Sequence, residues 1–477
     1  MKQKLTLLLI LLFPLFVAAQ TLLVSENKRY LETEAGKPFL WIGDTAWELF
    51  HKLNREDAQM YLKNRAEKGF SVIQAVVIAE MDGLKTPNAY GETPLIELNP
   101  EKPNEKYFEH VDFIVNEAQK LGLFIGMLPT WGDKVTDAHG GGPVVFTESN
   151  AKTYGEFLGQ RYKNKPIVWI LGGDRNIKND TELKVWRAMA NGIKTGSDGK
   201  QLISYHPRGA SSSHQWLPNE RWLDLDMYQS GHEKRYIDVY RYAETLYNQK
   251  PAKPFVDAEP AYEDIPVRFW DYCDWSKPLR VPAEVLDANK IIVKKEHFAM
   301  GFFTAHDVRV HAYWNFLSGA AGYTYGNNAI WQMFEKGGSM AIPCLTDWRE
   351  ALDRPGAADL KHVRTIFEAR PFSQLIPDQA IIVGSNPKDS LHIRTAISAD
   401  QSFALIYLSV GQSVTVDLSK IKNTIVASWY NPREGTARKI GTFKNSGNQK
   451  FTPPSAGTDN DWLLVLDDKN GKYKTLK

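Results

Sequence analysis

Two carboxylates stand where chemistry is expected. Asp174 ends the run Pro166-Ile167-Val168-Trp169-Ile170-Leu171-Gly172-Gly173-Asp174-Arg175-Asn176, and Glu259 ends Pro254-Phe255-Val256-Asp257-Ala258-Glu259-Pro260. Each run is apolar, of strand length and without alternation, as a strand covered on both faces requires. The paired glycines before Asp174 allow a sharp turn at the strand end. Two carboxyl groups facing one space suit glycoside cleavage, one protonating the leaving oxygen while the other attacks or stabilises the anomeric carbon. The first needs a raised pKa to hold its proton, which burial or the other carboxylate supplies. The competing acids are Asp44, Asp133, Asp257 and Glu263. Asp257 precedes Glu259 by two and so shares its side of a strand, in a supporting position one layer deeper.

Other chemistries find less support. The eleven histidines are scattered without HExxH or paired spacing, so no metal is expected, and no cofactor. His206 and His232 end predicted strands and fit hydrogen bonding to a ligand. No Gly-x-Ser-x-Gly elbow for a serine hydrolase is present. The substrate-binding candidates are Asp44, Trp47, Trp131, Arg175, Asn176, His206, His232, Tyr262, Trp314 and Tyr325. The rings among them would stack on sugar faces, with core packing a comparable use.

The elements that must carry these residues alternate. Strands are expected at Phe39–Gly43, Phe70–Ile78, Leu123–Leu128, Ile167–Leu171, Leu202–Tyr205, Asp224–Met227, Phe255–Ala258 and Ala312–Phe316. Helical patterns lie between most of them, including Tyr107–Leu121, Ala151–Tyr162, Glu182–Thr195, Ile237–Asn248 and Lys290–Phe303. Eight such units predict an α/β fold, a (β/α)8 TIM barrel, and no dinucleotide glycine fingerprint favours an open sheet. In that barrel the fourth and seventh strand ends oppose each other, so Asp174 and Glu259 would meet. After about residue 370 the pattern becomes short strands such as Ala380–Val383, Leu391–Thr395, Phe403–Leu408, Val414–Leu418, Ile425–Tyr430 and Trp462–Leu466. These predict an antiparallel β-sandwich. The expected division is a signal peptide over 1–19, a catalytic barrel over 20–370 and a sandwich over 371–477.

Residues 1–19 combine Lys2 and Lys4, an apolar stretch from Leu5 to Val17, and Ala18-Ala19, the form of a cleaved signal peptide. The protein is therefore expected to be secreted or periplasmic, without a lipoprotein cysteine and without a membrane span after signal removal. The formal charge of +2 falls to 0 without the two lysines, so no nucleic-acid or acidic-membrane partner is indicated. Cys273 and Cys344 are too few for a disulfide framework.

Three stretches carry a resemblance. Asp44-Thr45-Ala46-Trp47-Glu48-Leu49-Phe50, Trp169-Ile170-Leu171-Gly172-Gly173-Asp174-Arg175-Asn176 and Asp257-Ala258-Glu259-Pro260-Ala261-Tyr262-Glu263 resemble glycoside hydrolase family 140, the apiosidase-like proteins. Trp429-Tyr430-Asn431-Pro432-Arg433 and Asp461-Trp462-Leu463-Leu464-Val465-Leu466 resemble the tail of such proteins, a domain named for collagen binding. Nothing in these residues supports binding a triple helix. The resemblance implies cleavage of apiosidic linkages in side chains of the pectin rhamnogalacturonan-II, with Asp174 as acid/base and Glu259 as nucleophile. It makes a plant-wall oligo- or polysaccharide the expected partner of a monomeric enzyme. The alternatives are a glycosidase of the same mechanism for another plant-wall glycoside, a non-catalytic carbohydrate-binding barrel and, last, a matrix adhesin.

Overall fold

The computed structural model describes residues 21–138, 141–274 and 293–476. The predicted leader lies outside them. Eight parallel strands form the barrel: β1 (Trp41–Thr45), β2 (Val72–Ile78), β3 (Phe124–Thr130), β4 (Ile167–Gly172), β5 (Ile203–His206), β6 (Asp226–Gln229), β7 (Phe255–Asp257) and β8 (Gly322–Tyr325). Their order is β5-β4-β3-β2-β1-β8-β7-β6, with the short strand Ser211–Ser212 antiparallel on the edge of β6. No ladder joins β5 to β6, but the Asp224 N–H donates to the Ile203 carbonyl at 2.9 Å. The Ser204 hydroxyl donates to the Leu225 carbonyl, also at 2.9 Å, and so nearly closes the ring. Every residue of these strands is buried, which is why their sequences do not alternate.

The outer layer comprises α1 (Arg55–Glu67), α2 (Glu105–Lys120), α3 (Glu148–Tyr162), α4 (Asp180–Gly196), α5 (Val239–Asn248), α6 (Ala305–Phe316) and α7 (Pro355–Glu368). Asn54, Asn104, Thr147 and Asn179 cap the first four through side-chain oxygens. The face of α2 read from spacing, Phe108, Val111, Ile114, Val115 and Ala118, is buried throughout. No helix among the described residues is long and apolar enough to cross a membrane.

Two expectations for the barrel need correction. Ala312–Phe316 is the end of α6, and the eighth strand is Gly322–Tyr325. From His306 to Phe316 every residue of α6 is buried, so its sequence lacks the polar stripe that separates a helix from a buried strand. The Thr304/Asp307 capping box was its local marker. Of the expected helix Lys290–Phe303, residues 290–292 lie outside the described residues. The remainder is loop around one 3-10 turn, Lys295–His297. The β5–β6 connection holds only Ser211–Ser212 and a 3-10 turn, so this crossover lacks its helix.

Beyond α7 come β9 (Leu375–Pro377), β10 (Ile393–Ser398), β11 (Phe403–Leu408), β12 (Val414–Asp417), β13 (Ile425–Asn431), β14 (Thr436–Phe443), β15 (Asn448–Phe451) and β16 (Trp462–Asp468). A six-stranded antiparallel sheet, β9-β10-β11-β16-β13-β14, packs against the β12–β15 pair. The expected strand at Ala380–Val383 is instead a 3-10 turn over Gln379–Ile381. Strands β14 and β15 carry few apolar residues and gave no periodic signal.

The other face of the large sheet is spent on the barrel. Tyr407 stacks on Tyr313 of α6 with centroids 4.5 Å apart, and buried Arg309 of α6 reaches both Asp461 (2.9 Å) and Asp359 (2.6 Å). One apolar cluster includes Tyr313, Phe367, Tyr407, Tyr430 and Val465, so barrel and sandwich share a core.

Candidate active site

The end of β4 is locally strained. Gly172 (φ 86°), Gly173 (φ 107°) and Asp174 (φ 50°) are consecutive left-handed residues. A Cβ on Gly172 would collide with the His206 carbonyl, and one on Gly173 would sit 2.7 Å from the Trp131 ring. Glycine is therefore required at both positions. Asp174 has no such exemption, and its unfavourable backbone marks a position held for a purpose.

Three further residues converge on it. His206 ends β5, His232 lies in the loop after β6, and Glu259 follows β7. His206 Nδ1 faces the backbone N–H of Asp174 at 3.4 Å, and its Nε2 lies 3.2 Å from Glu259 Oε2. His232 repeats the arrangement, with Nδ1 facing the backbone N–H of Tyr262 at 3.4 Å and Nε2 3.2 Å from Glu259 Oε1. A backbone N–H can only donate, so each Nδ1 is the acceptor and each proton resides on Nε2, the nitrogen beside Glu259. His232 thus hydrogen-bonds to Glu259 Oε1, while His206 lies at ion-pair distance from Oε2 without hydrogen-bond alignment.

The two acids are driven apart in acidity. Burial alone would raise Glu259, but the nearby His206 and His232 imidazoles outweigh it and hold the carboxyl well below the usual range. Burial, then the charge of Glu259, pushes Asp174 up to about 6, against the opposing pull of Arg175 and His206. The Asp174 side chain keeps 34 % of its surface accessible, which tempers the burial and leaves the carboxyl open to a ligand. One carboxyl group is thus poised to give a proton beside another that stays ionised.

Asp257, expected one layer beneath Glu259 in the barrel, instead faces the helix layer, because Val256 and Ala258 take the interior positions of this strand, and from there it fixes the frame. Its carboxylate accepts from the Ser230 hydroxyl (2.8 Å), the Ser230 N–H (3.3 Å) and Asn315 Nδ2 of α6 (3.1 Å), and the Glu259 N–H also points to it. It thereby ties the loop bearing His232 and the backbone of Glu259 to the helix that supports the sandwich. Ser230 and Asn315 carried no motif, and only their contacts identify them.

The remaining candidates divide. Trp47 and Trp131 are nearly buried, lie 5.2 Å apart and pack on His206, so they wall the site. Tyr262 packs on His232 at 4.6 Å, and its hydroxyl sits among Thr45, Trp47 and Glu259. Arg175 lies 3.5 Å from the Asp174 carboxylate and donates to the Asp174 carbonyl. Asn176 accepts from the Arg208 N–H and the Ser211 hydroxyl, bracing the loop after β5.

Three candidates lie elsewhere. Asp44 is fully buried, paired with Arg65 at 2.5 Å and hydrogen-bonded by Tyr61, so it anchors α1 and reaches no ligand. Trp314 is fully buried on α6 and packs against Tyr240 and His392. Tyr325 is likewise buried, its hydroxyl donating to Glu263 at 2.7 Å. No group of three His, Cys, Asp or Glu side chains suited to a metal ion occurs among the described residues.

With this geometry in hand, the comparisons with known proteins are consistent. The model of the apiosidase-like catalytic domain matches residues 25–374, and that of a domain described as the collagen-binding domain of a collagenase matches 376–467. A solved glycoside hydrolase is 32% identical, with 95% of this chain and 98% of that one covered and a TM-score of 0.82. A structure from Bacteroides vulgatus described as glycoside hydrolase family 5 is 31% identical, with 95% of both chains covered and a TM-score of 0.83. Among curated proteins none matches. The chain belongs to the apiosidase-like family, and it is a glycoside hydrolase.

Proposed function

We propose that this glycoside hydrolase cleaves apiosidic linkages in side chains of rhamnogalacturonan-II by a retaining, two-carboxylate mechanism. The observation that carries the mechanism is geometric: His206 contacts both the Asp174 backbone and the Glu259 carboxylate, which brings an accessible carboxyl group and a buried one held by His232 to a single space. In the first step a Glu259 oxygen attacks the anomeric carbon while Asp174 gives its proton to the departing glycosidic oxygen. The glycosyl–Glu259 ester that forms no longer carries a negative charge. The repulsion that raised Asp174 is then gone, and its carboxylate can take a proton from the water that hydrolyses the ester. Apiose as the sugar rests on the apiosidase-like match.

The leader-like residues 1–19 support action outside the cytoplasm, where a wall polysaccharide is met. The test is product release from rhamnogalacturonan-II and other pectins, with Glu259→Gln as control. Apiose-terminated oligosaccharides that are absent with the variant support the reading. Cleavage of another pectin alone overturns the substrate, and silence across the panel overturns the activity.

A further inference from the structure

We propose that Trp270 is a stacking platform for a sugar ring of the substrate lying beyond the bond that is cleaved. Trp216 and Trp270, at 40% and 38% exposure, are the tryptophans left open among the described residues. A single exposed aromatic is ordinary. Trp270 differs in how it is held. It lies in the loop after β7, on the barrel face that bears the catalytic pair, two rings away from the nucleophile. His232 faces Glu259 at 3.2 Å, Phe269 lies 5.7 Å from the His232 ring, and Trp270 sits edge-on to Phe269 at 5.2 Å.

The segment is pinned to the site. The Arg268 N–H donates to the His232 carbonyl at 2.9 Å, and Arg268 adopts a left-handed backbone, φ 55°. That conformation is unfavourable for a residue with a Cβ, so the turn that projects Phe269 inward and leaves Trp270 open is maintained at a cost. The Arg268 guanidinium lies over one face of the Trp270 ring, 5.6 Å from its centroid, and pairs with Asp271 at 2.9 Å, so the face offered to a sugar is the other one. An apolar ring face bordered by one cation and one carboxylate is the chemistry that a pyranose or furanose ring recognises, with C–H bonds on the ring and hydroxyls on the rim. Among the described residues no such chain of rings links Trp216 to Glu259, which makes it a control.

This inference rests on carbohydrate as the substrate class and not on apiose. The experiment is calorimetric titration of Glu259→Gln, which binds without turnover, with oligosaccharides from rhamnogalacturonan-II, homogalacturonan, arabinan and galactan. Trp270→Ala and Trp216→Ala are then added singly to that background. The expected result is about a tenfold loss of affinity with Trp270→Ala, a lesser loss with Trp270→Phe and none with Trp216→Ala. The same pattern on arabinan or galactan alone would remove the apiose reading and support the platform. Equal affinities with and without Trp270, or no binding of any glycan, would overturn it.

Discussion

Asp174 and Glu259 are joined through one imidazole. His206 accepts from the Asp174 backbone with Nδ1 and presents Nε2 to Glu259. The strained turn that carries Asp174 therefore also orients the imidazole beside Glu259, and His232, held by the Tyr262 backbone, hydrogen-bonds to the other oxygen of that carboxylate.

The pH dependence follows from the two carboxyls. The proposed mechanism requires Glu259 ionised and Asp174 protonated, so kcat/KM should fall on the alkaline side as pH rises through about 6. The acid limb should lie well below the ordinary carboxylate range, because Glu259 is held there by the two imidazoles. An initial-rate profile from pH 3 to 9 checks both limbs. An optimum above pH 8 would contradict the assignment.

Removing one histidine donor should move the acid limb. His232→Ala takes away one of the hydrogen bonds that favour the ionised form, which raises the Glu259 pKa and shifts the low-pH limb upward. A lower kcat with an unmoved limb would show that His232 acts on the ligand alone.

Asp174→Asn should slow substrates with poor leaving groups by about 100- to 10,000-fold, since those depend on protonation. Aryl glycosides with good leaving groups should suffer much less. Comparison of the two substrate types is the check, and equal losses would remove Asp174 from the acid role.

Asp257→Asn keeps the size of the side chain but turns an NH2 group toward donors. Four hydrogens now point at that carboxylate, from Ser230 twice, Asn315 and Glu259. The expected outcome is a fall in kcat larger than any change in KM, with retained folding by near-UV circular dichroism. Wild-type kcat in the variant would show that the frame does not depend on this group.

The tail domain should be inseparable from the barrel. Asp461 is held ionised by His306 and Arg309 against the cost of burial. Its pKa is depressed on folding, so its stabilising contribution is present at neutral pH and lost only as the pH falls through the folded value. Asp461→Asn leaves Arg309 buried with a weakened partner set and should cost about 3–5 kcal/mol in chemical denaturation. A truncated barrel ending at residue 374 that unfolds like the full chain would contradict this.

Most of the barrel was readable because its strands are buried on both faces and several, such as Phe124–Thr130 and Ile167–Gly172, are almost wholly apolar. The eighth was misplaced because α6 is buried all round, shared between barrel and sandwich, and so has no polar stripe. The convergence of Asp174 and Glu259 was legible from strand ends and glycines, since turn chemistry is local. Asp44 looked alike by that local rule, yet Arg65 and Tyr61 reach it from a helix that begins eleven residues later. The same limit hid Ser230, Asn315 and the shared orientation of the histidines. Such contacts are properties of the closed ring and have no signature along the chain.

Trapping of the glycosyl-enzyme tests the central claim most directly. A 2-deoxy-2-fluoro apioside with a good leaving group should slow hydrolysis of the ester and let it accumulate. Mass spectrometry of the digested protein should then find one sugar on the peptide that contains Glu259. Label on another residue, or no covalent species together with release of the inverted anomer, would contradict the mechanism.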